Sequence, residues 1–92
     1  MRESQIESAV CRWAKDQGIA NHKMSGPNDR GVPDRLFRRK GRVFFCEFKA
    51  PGKTPTALQL KRMADLSDDG FAVGWCDGVE SGKKLLKEAF GL

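Results

Sequence analysis

The chain has 92 residues, enough for one domain and too few for a second hydrophobic core. Its 39% apolar residues can build that core, while a 32% charged fraction of mixed sign argues against both a membrane protein and a disordered chain. Lys and Arg number 17 against 12 Asp and Glu, and the resulting +5 suits a polyanionic partner as well as plain solubility.

The first residues, MRESQIESAV, carry charges where a signal peptide needs an apolar segment, and no apolar run approaches the roughly 20 residues of a spanning helix. The expectation is a cytoplasmic protein without a membrane partner. Residues 3–17 place Ile6, Val10, Trp13 and Ala14 at helical spacing, and Gly18 follows as a stop. Residues 19–24 suit a short strand, and SGPNDRGVP is a loop by composition. Two runs, DRLFRR and RVFFCEFK, are joined by KG, a workable hairpin turn because Gly41 tolerates positive φ. After APGKTP, Thr56 can cap a helix running to about Ser67, with Leu58, Leu60, Met63 and Leu66 as its apolar positions. Gly70 ends it. FAVGWC has the length of a buried strand, and DG turns it into a last helix, 79–90, with Leu85, Leu86, Ala89 and Phe90 inward. The order predicts one α/β domain over residues 1–92, a small mixed β-sheet flanked by helices with the hairpin at its heart.

The three cysteines, Cys11, Cys46 and Cys76, are far apart in apolar surroundings, which excludes a disulfide framework and a zinc site. His22 is the one histidine, so any chemistry must run on carboxylates and lysine. With the turn centred on Lys40–Gly41, antiparallel partners have numbers summing to about 81 or 82, and Asp34 stands opposite Glu47 or Phe48. Opposed residues have Cβ atoms roughly 4.5–5.5 Å apart, so the two acids become neighbours. Glu47 and Lys49 share a face because side chains alternate along a strand.

Hydrolysis of a phosphodiester needs a nucleophilic water and relief of the charge that builds in the transition state, and a divalent ion provides both. Mg²⁺ takes oxygen ligands and is commonly held by one or two carboxylates. Asp34 and Glu47 meet that need, the backbone carbonyl of Phe48 can add an oxygen, and Lys49 is placed to orient the attacking water and offset negative charge. Pro33 fixes its own φ and helps present Asp34. A structural ion pair between Asp34 and Lys49 is the alternative, and it leaves Glu47 unexplained in an apolar run where a charge is costly to bury. The cations Arg30, Arg35, Arg38, Arg39 and Lys40, with Lys53, Lys61 and Arg62 beyond, read either as a solvated hairpin tip or as a surface that tracks phosphates. Lys23, Asn28 and Asp29 are further candidates for such a surface.

In their order, GVPDRLF, GRVFFCEFKAPGKTP and Gln59 within ALQLKRMADL closely resemble the VRR-NUC domain (virus-type replication-repair nuclease), a branch of the PD-(D/E)xK nuclease superfamily. SQIESAV resembles that family's first helix, and the resemblance covers nearly the entire chain. It implies a restriction-endonuclease-like core and Mg²⁺- or Mn²⁺-dependent cleavage of DNA. By resemblance Asp34 and Glu47 are metal ligands, Lys49 the catalytic lysine, Gln59 an active-site residue, and Glu7 a further acid near the metal. Stand-alone members look like Holliday-junction resolvases acting as homodimers, which makes four-way DNA junctions the expected substrate and a second copy the expected partner. Rival readings are a flap or single-strand nickase working with a partner, and a DNA-binding module that retains a nuclease scaffold without cutting.

Overall fold

The structure, a computed structural model, describes residues 1–24 and 30–92. Three helices and four strands follow the expected order: α1 (Glu3–Asp16), β1 (Ala20–Lys23), β2 (Arg35–Arg39), β3 (Arg42–Phe48), α2 (Ala57–Asp68), β4 (Ala72–Cys76) and α3 (Val79–Phe90). The strands form one mixed sheet in the order β1-β2-β3-β4, antiparallel except for the parallel β3–β4 pair. Parallel neighbours need a crossover, and α2 is that crossover.

Register decides which face each side chain takes. Phe37 pairs with Phe44, Arg35 with Cys46, and Cys46 in turn with Gly74 on β4. Phe37, Phe44, Cys46, Phe48 and Cys76 therefore share one face, where they meet Ile6, Val10 and Ala14 of α1 and Leu86 and Phe90 of α3 in a single buried core. The opposite face carries Val43, Phe45 and Glu47 with Val73 and Trp75, and it is served by α2, which packs on β4. Because α2 leans on that edge of the sheet, one of its residues, Met63, is buried, while Leu58 and Leu60 stand exposed where an inward stripe was expected. Phe90 is part of the core, as its inward place on the last helix predicts.

Two turns set the functional end of the sheet. Lys40 and Gly41 both have positive φ, 48° and 80°, and this two-residue connection matches the right-handed twist of the strands it joins. Gly31, at φ 78°, lets the chain pass tightly under α2: a Cβ there would lie 2.7 Å from Leu58 Cγ and 3.1 Å from Arg62 Cγ. That close passage delivers Val32, Pro33 and Asp34 to the start of β2. Gly31→Ala should cost about 1–2 kcal/mol from the left-handed backbone alone, with the displacement of Leu58 and Arg62 added. In a thermal melt this reads as a fall in Tm of at least roughly 5 °C.

Candidate active site

Continuing the β2–β3 register one step beyond the Arg35–Cys46 pair sets Asp34 opposite Glu47. Asp34 is held by backbone on both sides: its Oδ2 accepts from Phe48 N at 2.9 Å, and its carbonyl accepts from Met24 N at 3.0 Å. The Asp34–Lys49 ion pair is not formed. Lys49 Nζ lies 3.7 Å from Glu47 Oε2, with its amide donating to Cys76 O at 2.9 Å.

Glu47 is 2% exposed, pairs across the sheet with Trp75, and occupies the end of the apolar strand. Its Oε2 accepts from Gln59 Nε2 at 3.0 Å, while its Oε1 is buried without a hydrogen-bond partner among the described residues. Burial, with the charge of Asp34 next, pushes the Glu47 pKa from 4.5 to about 7 against the opposing pull of Lys49. The Asp34 carboxyl is raised as well, chiefly by burial, with the Phe48 amide opposing. Gln59 reaches the site because of its place in α2. Thr56 caps that helix by accepting from Gln59 N at 3.2 Å, and Gln59 Oε1 accepts from Thr56 N at 2.9 Å. One side-chain amide thus completes a capping box with its oxygen and binds Glu47 with its nitrogen.

The third carboxylate is Glu3. Oxygens of Glu3, Asp34 and Glu47 all lie within 4.8 Å of one another. Glu7, one helical turn on, is occupied otherwise: its Oε2 accepts from Arg35 Nε at 2.6 Å and Lys23 Nζ at 3.2 Å. It lies close enough to raise the Asp34 pKa but outside the three-acid cluster. The four-residue spacing puts Glu3 and Glu7 on one side of α1, so the sequence signal for a helix acid was present without saying which turn reaches the strands. An acid in a first turn also reads as a partner for the helix dipole, which hides Glu3.

The cations separate into two groups. Arg35 is engaged by Glu7 and, at 3.1 Å, by Asn21 Oδ1, so its guanidinium braces α1 against β1 and β2. Lys23 joins the same brace. Arg38, Lys40, Lys53 and Arg30 are exposed, and Arg39 is half-buried. Arg38 Nε donates to His22 Nε2 at 2.8 Å, on the sheet face that carries Glu47. Asn28 and Asp29 lie outside the described residues.

Strand-end acids, a lysine two residues on, a helix acid and a crossover-helix glutamine thus converge at one end of a small mixed sheet. Solved structures with the same architecture include one described as "VRR_NUC domain", with a TM-score of 0.84, 21% identity and coverage of 96% of this chain and 97% of that one. A second, "VRR_NUC domain protein", has a TM-score of 0.81, 17% identity and coverage of 100% and 90%. In sequence, the chain is 40% identical over 75 residues to "Putative nuclease p44" of Acyrthosiphon pisum secondary endosymbiont phage 1, covering 80% of this chain and 76% of the relative. No family model matches. The chain belongs to the same family as this phage protein, and its fold is that of the VRR_NUC domain.

Gln59→Glu keeps an acceptor for Thr56 N but sets a carboxylate against Glu47, whereas Gln59→Ala loses both bonds. The alanine variant should therefore lose about 1 kcal/mol of capping stability in denaturant melts, while the glutamate variant keeps the cap and raises the Glu47 pKa further, read by carboxyl NMR titration. In metal-chelating buffer, Glu47 takes up a proton more readily in the folded chain than in the unfolded one. Its contribution to stability is then fully present below pH 4.5 and is lost as pH climbs through about 7. Glu47→Gln should remove that slope from the profile of Tm against pH.

Proposed function

We propose that this nuclease is a divalent-metal-dependent, structure-specific endodeoxyribonuclease acting on branched DNA, with the four-way junction as substrate and a homodimer as its working form. The observation that carries the metal is Glu47 Oε1, a desolvated carboxylate oxygen without a partner beside two further acids. Three carboxylates with one lysine close by make a hard-oxygen donor set short of positive charge, which suits Mg²⁺ or Mn²⁺. Asp34, Glu47 and Glu3 would hold the ion. The Phe48 carbonyl would join them, since the N–H and C=O of a strand residue leave on the same side and the Phe48 N–H is directed at Asp34. Bound there, the ion supplies an acidified water and charge on the phosphate oxygens. We assign Glu7 to bracing, through Arg35 and Lys23, instead of ligation.

Lys49 holds its Nζ beside Glu47 and acts as donor to the attacking water or a phosphate oxygen. Gln59 fixes the rotation of the Glu47 carboxylate. The hairpin tip, five strand residues away, stands about 17 Å from the acids at roughly 3.3 Å per residue. Arg38, Arg39 and Lys40 would therefore meet phosphates flanking the cut, as would Arg30 and Lys53 from the adjacent loops. Such contacts give affinity without reading bases, and specificity falls to the shape of the DNA. The described residues of one chain form one acidic cluster, so cutting two strands calls for two copies, and twofold symmetry fixes their separation. Phe71, exposed at the edge of β4, is a contact such a dimer could use. No helix among the described residues is long and apolar enough to cross a membrane.

The test is cleavage of an end-labelled four-way junction with Mg²⁺ or Mn²⁺, beside linear duplex, single strand and flap. Paired symmetric nicks support a dimeric resolvase. A single nick on the flap replaces it with a nickase, and binding without cutting of any substrate sinks the catalytic reading. Lys49→Ala should lower the cleavage rate by roughly 10²–10³-fold while DNA affinity is kept. Asp34→Asn and Glu47→Gln should lose Mn²⁺ binding by calorimetry as well. Glu3→Gln should weaken Mn²⁺ at unchanged Tm, and Glu7→Gln should instead lower Tm.

A further inference from the structure

Beside the acids, on the sheet face that carries Glu47, lies an open recess of about 260 Å³ lined by Met24, Val32, Pro33, Phe45 and Leu66. Its size is below the roughly 300–1,000 Å³ of pockets for drug-sized ligands, and suits one flat ring system. Two of its walls are direct neighbours of the site: Pro33 precedes Asp34, and Phe45 stands two residues before Glu47 on the same strand face. At roughly 3.3 Å per residue, Phe45 is about 7 Å from Glu47, the reach from a phosphate to the base of its own nucleotide. Arg62, Asp65 and Asp69 complete the lining, and their exposure sets them at its mouth. Arg62 is turned to the Arg30 carbonyl and Asp65, and Asp65 Oδ1 accepts from Lys61. Asp69 forms no ion pair among the described residues.

Acids at the mouth of an apolar recess repel a phosphate but accept hydrogen bonds from exocyclic amines, as carboxylates do from cytosine N4. We propose that this recess receives one unpaired nucleobase of the substrate, an amino-bearing one by preference, from the nucleotide next to the scissile phosphate. A base inside a duplex is paired and stacked and cannot enter. Entry requires a nucleotide already unpaired at a branch point or end, or one extruded at a cost of a few kcal/mol. Selection for branched DNA then resides partly in the catalytic domain itself, at the site of cutting. This inference rests on the nuclease reading above and deepens it.

The experiment first maps the cut on a flap and a junction, then replaces the nucleotide on either side of it by an abasic one. Affinity is measured by anisotropy in the Lys49→Ala background. Loss of the base should weaken binding at least roughly fivefold on one side of the cut, the lower end of what a single stacked base contributes. Leu66→Phe, which fills the recess, should weaken binding of the intact strand similarly and become indifferent to the abasic change. Asp69→Ala, at an exposed position and safe for folding, should erase a preference for cytosine or adenine over thymine there. Equal binding of intact and abasic strands by the Lys49→Ala chain, with cleavage by the wild-type chain observed, overturns the recess proposal alone. Equal losses in Leu66→Phe for both strands, or a change in its sedimenting mass, overturn it too, assigning the recess to packing or to a second copy. Absence of any DNA binding or cutting by the wild-type chain overturns both this proposal and the nuclease mechanism.

Discussion

A turn of two residues governs the chemistry of this protein. Lys40 and Gly41 close the β2–β3 hairpin without slack, and from there each pairing is fixed back to the open end of the strands. One residue more in the turn would rotate Asp34 or Glu47 to the other face, because side chains alternate with a period of two. The same register drives Phe37, Phe44, Cys46 and Phe48 into the core. Correct burial of the aromatic side chains and correct meeting of the acids are thus one condition. The hydrophobic effect, which is indifferent to catalysis, holds two carboxylates together against their repulsion.

That repulsion is the other half of the design. The site assembles acids at the edge of an apolar layer and supplies too few donors for them: Glu47 has Gln59 and Lys49 on one oxygen and nothing on the other. A fully satisfied network would have been more stable and would have left no place for a cation. The stabilising pairs stand one turn away, where Glu7 meets Arg35 and Lys23. Braced and unbraced acids on the same helix explain how the chain keeps a charged cluster in place while leaving it hungry for charge.

Much of this is legible in the sequence, and the limits have physical causes. Helices and strands follow from periodicity and from glycine stops, and the length of the KG turn brings Asp34 opposite Glu47 or Phe48, between which the observed register selects Glu47. These are local rules operating over a dozen residues. The identity of the helix acid is not local. Glu3 and Glu7 differ by one turn on the same side of α1, and the choice depends on how far that helix slides along the sheet. Gln59 reaches Glu47 only through the crossover, so its role came from likeness to a family and not from spacing. Leu58 and Leu60 look inward by pattern yet are exposed, since a helix resting on a sheet edge has a narrower contact stripe than one lying across a sheet.

Gln59 binds two events into one. The residue that closes the first turn of α2 also directs the carboxylate of Glu47, so the crossover helix cannot form its cap in the native way without orienting that carboxylate. During synthesis, Asp34, Glu47 and Lys49 all emerge before this glutamine. Until α2 has been made and docked, they lack the amide that sets the carboxylate's rotation. Completion of the site is thereby tied to completion of the fold, and a chain halted midway carries its acids and lysine without their native arrangement.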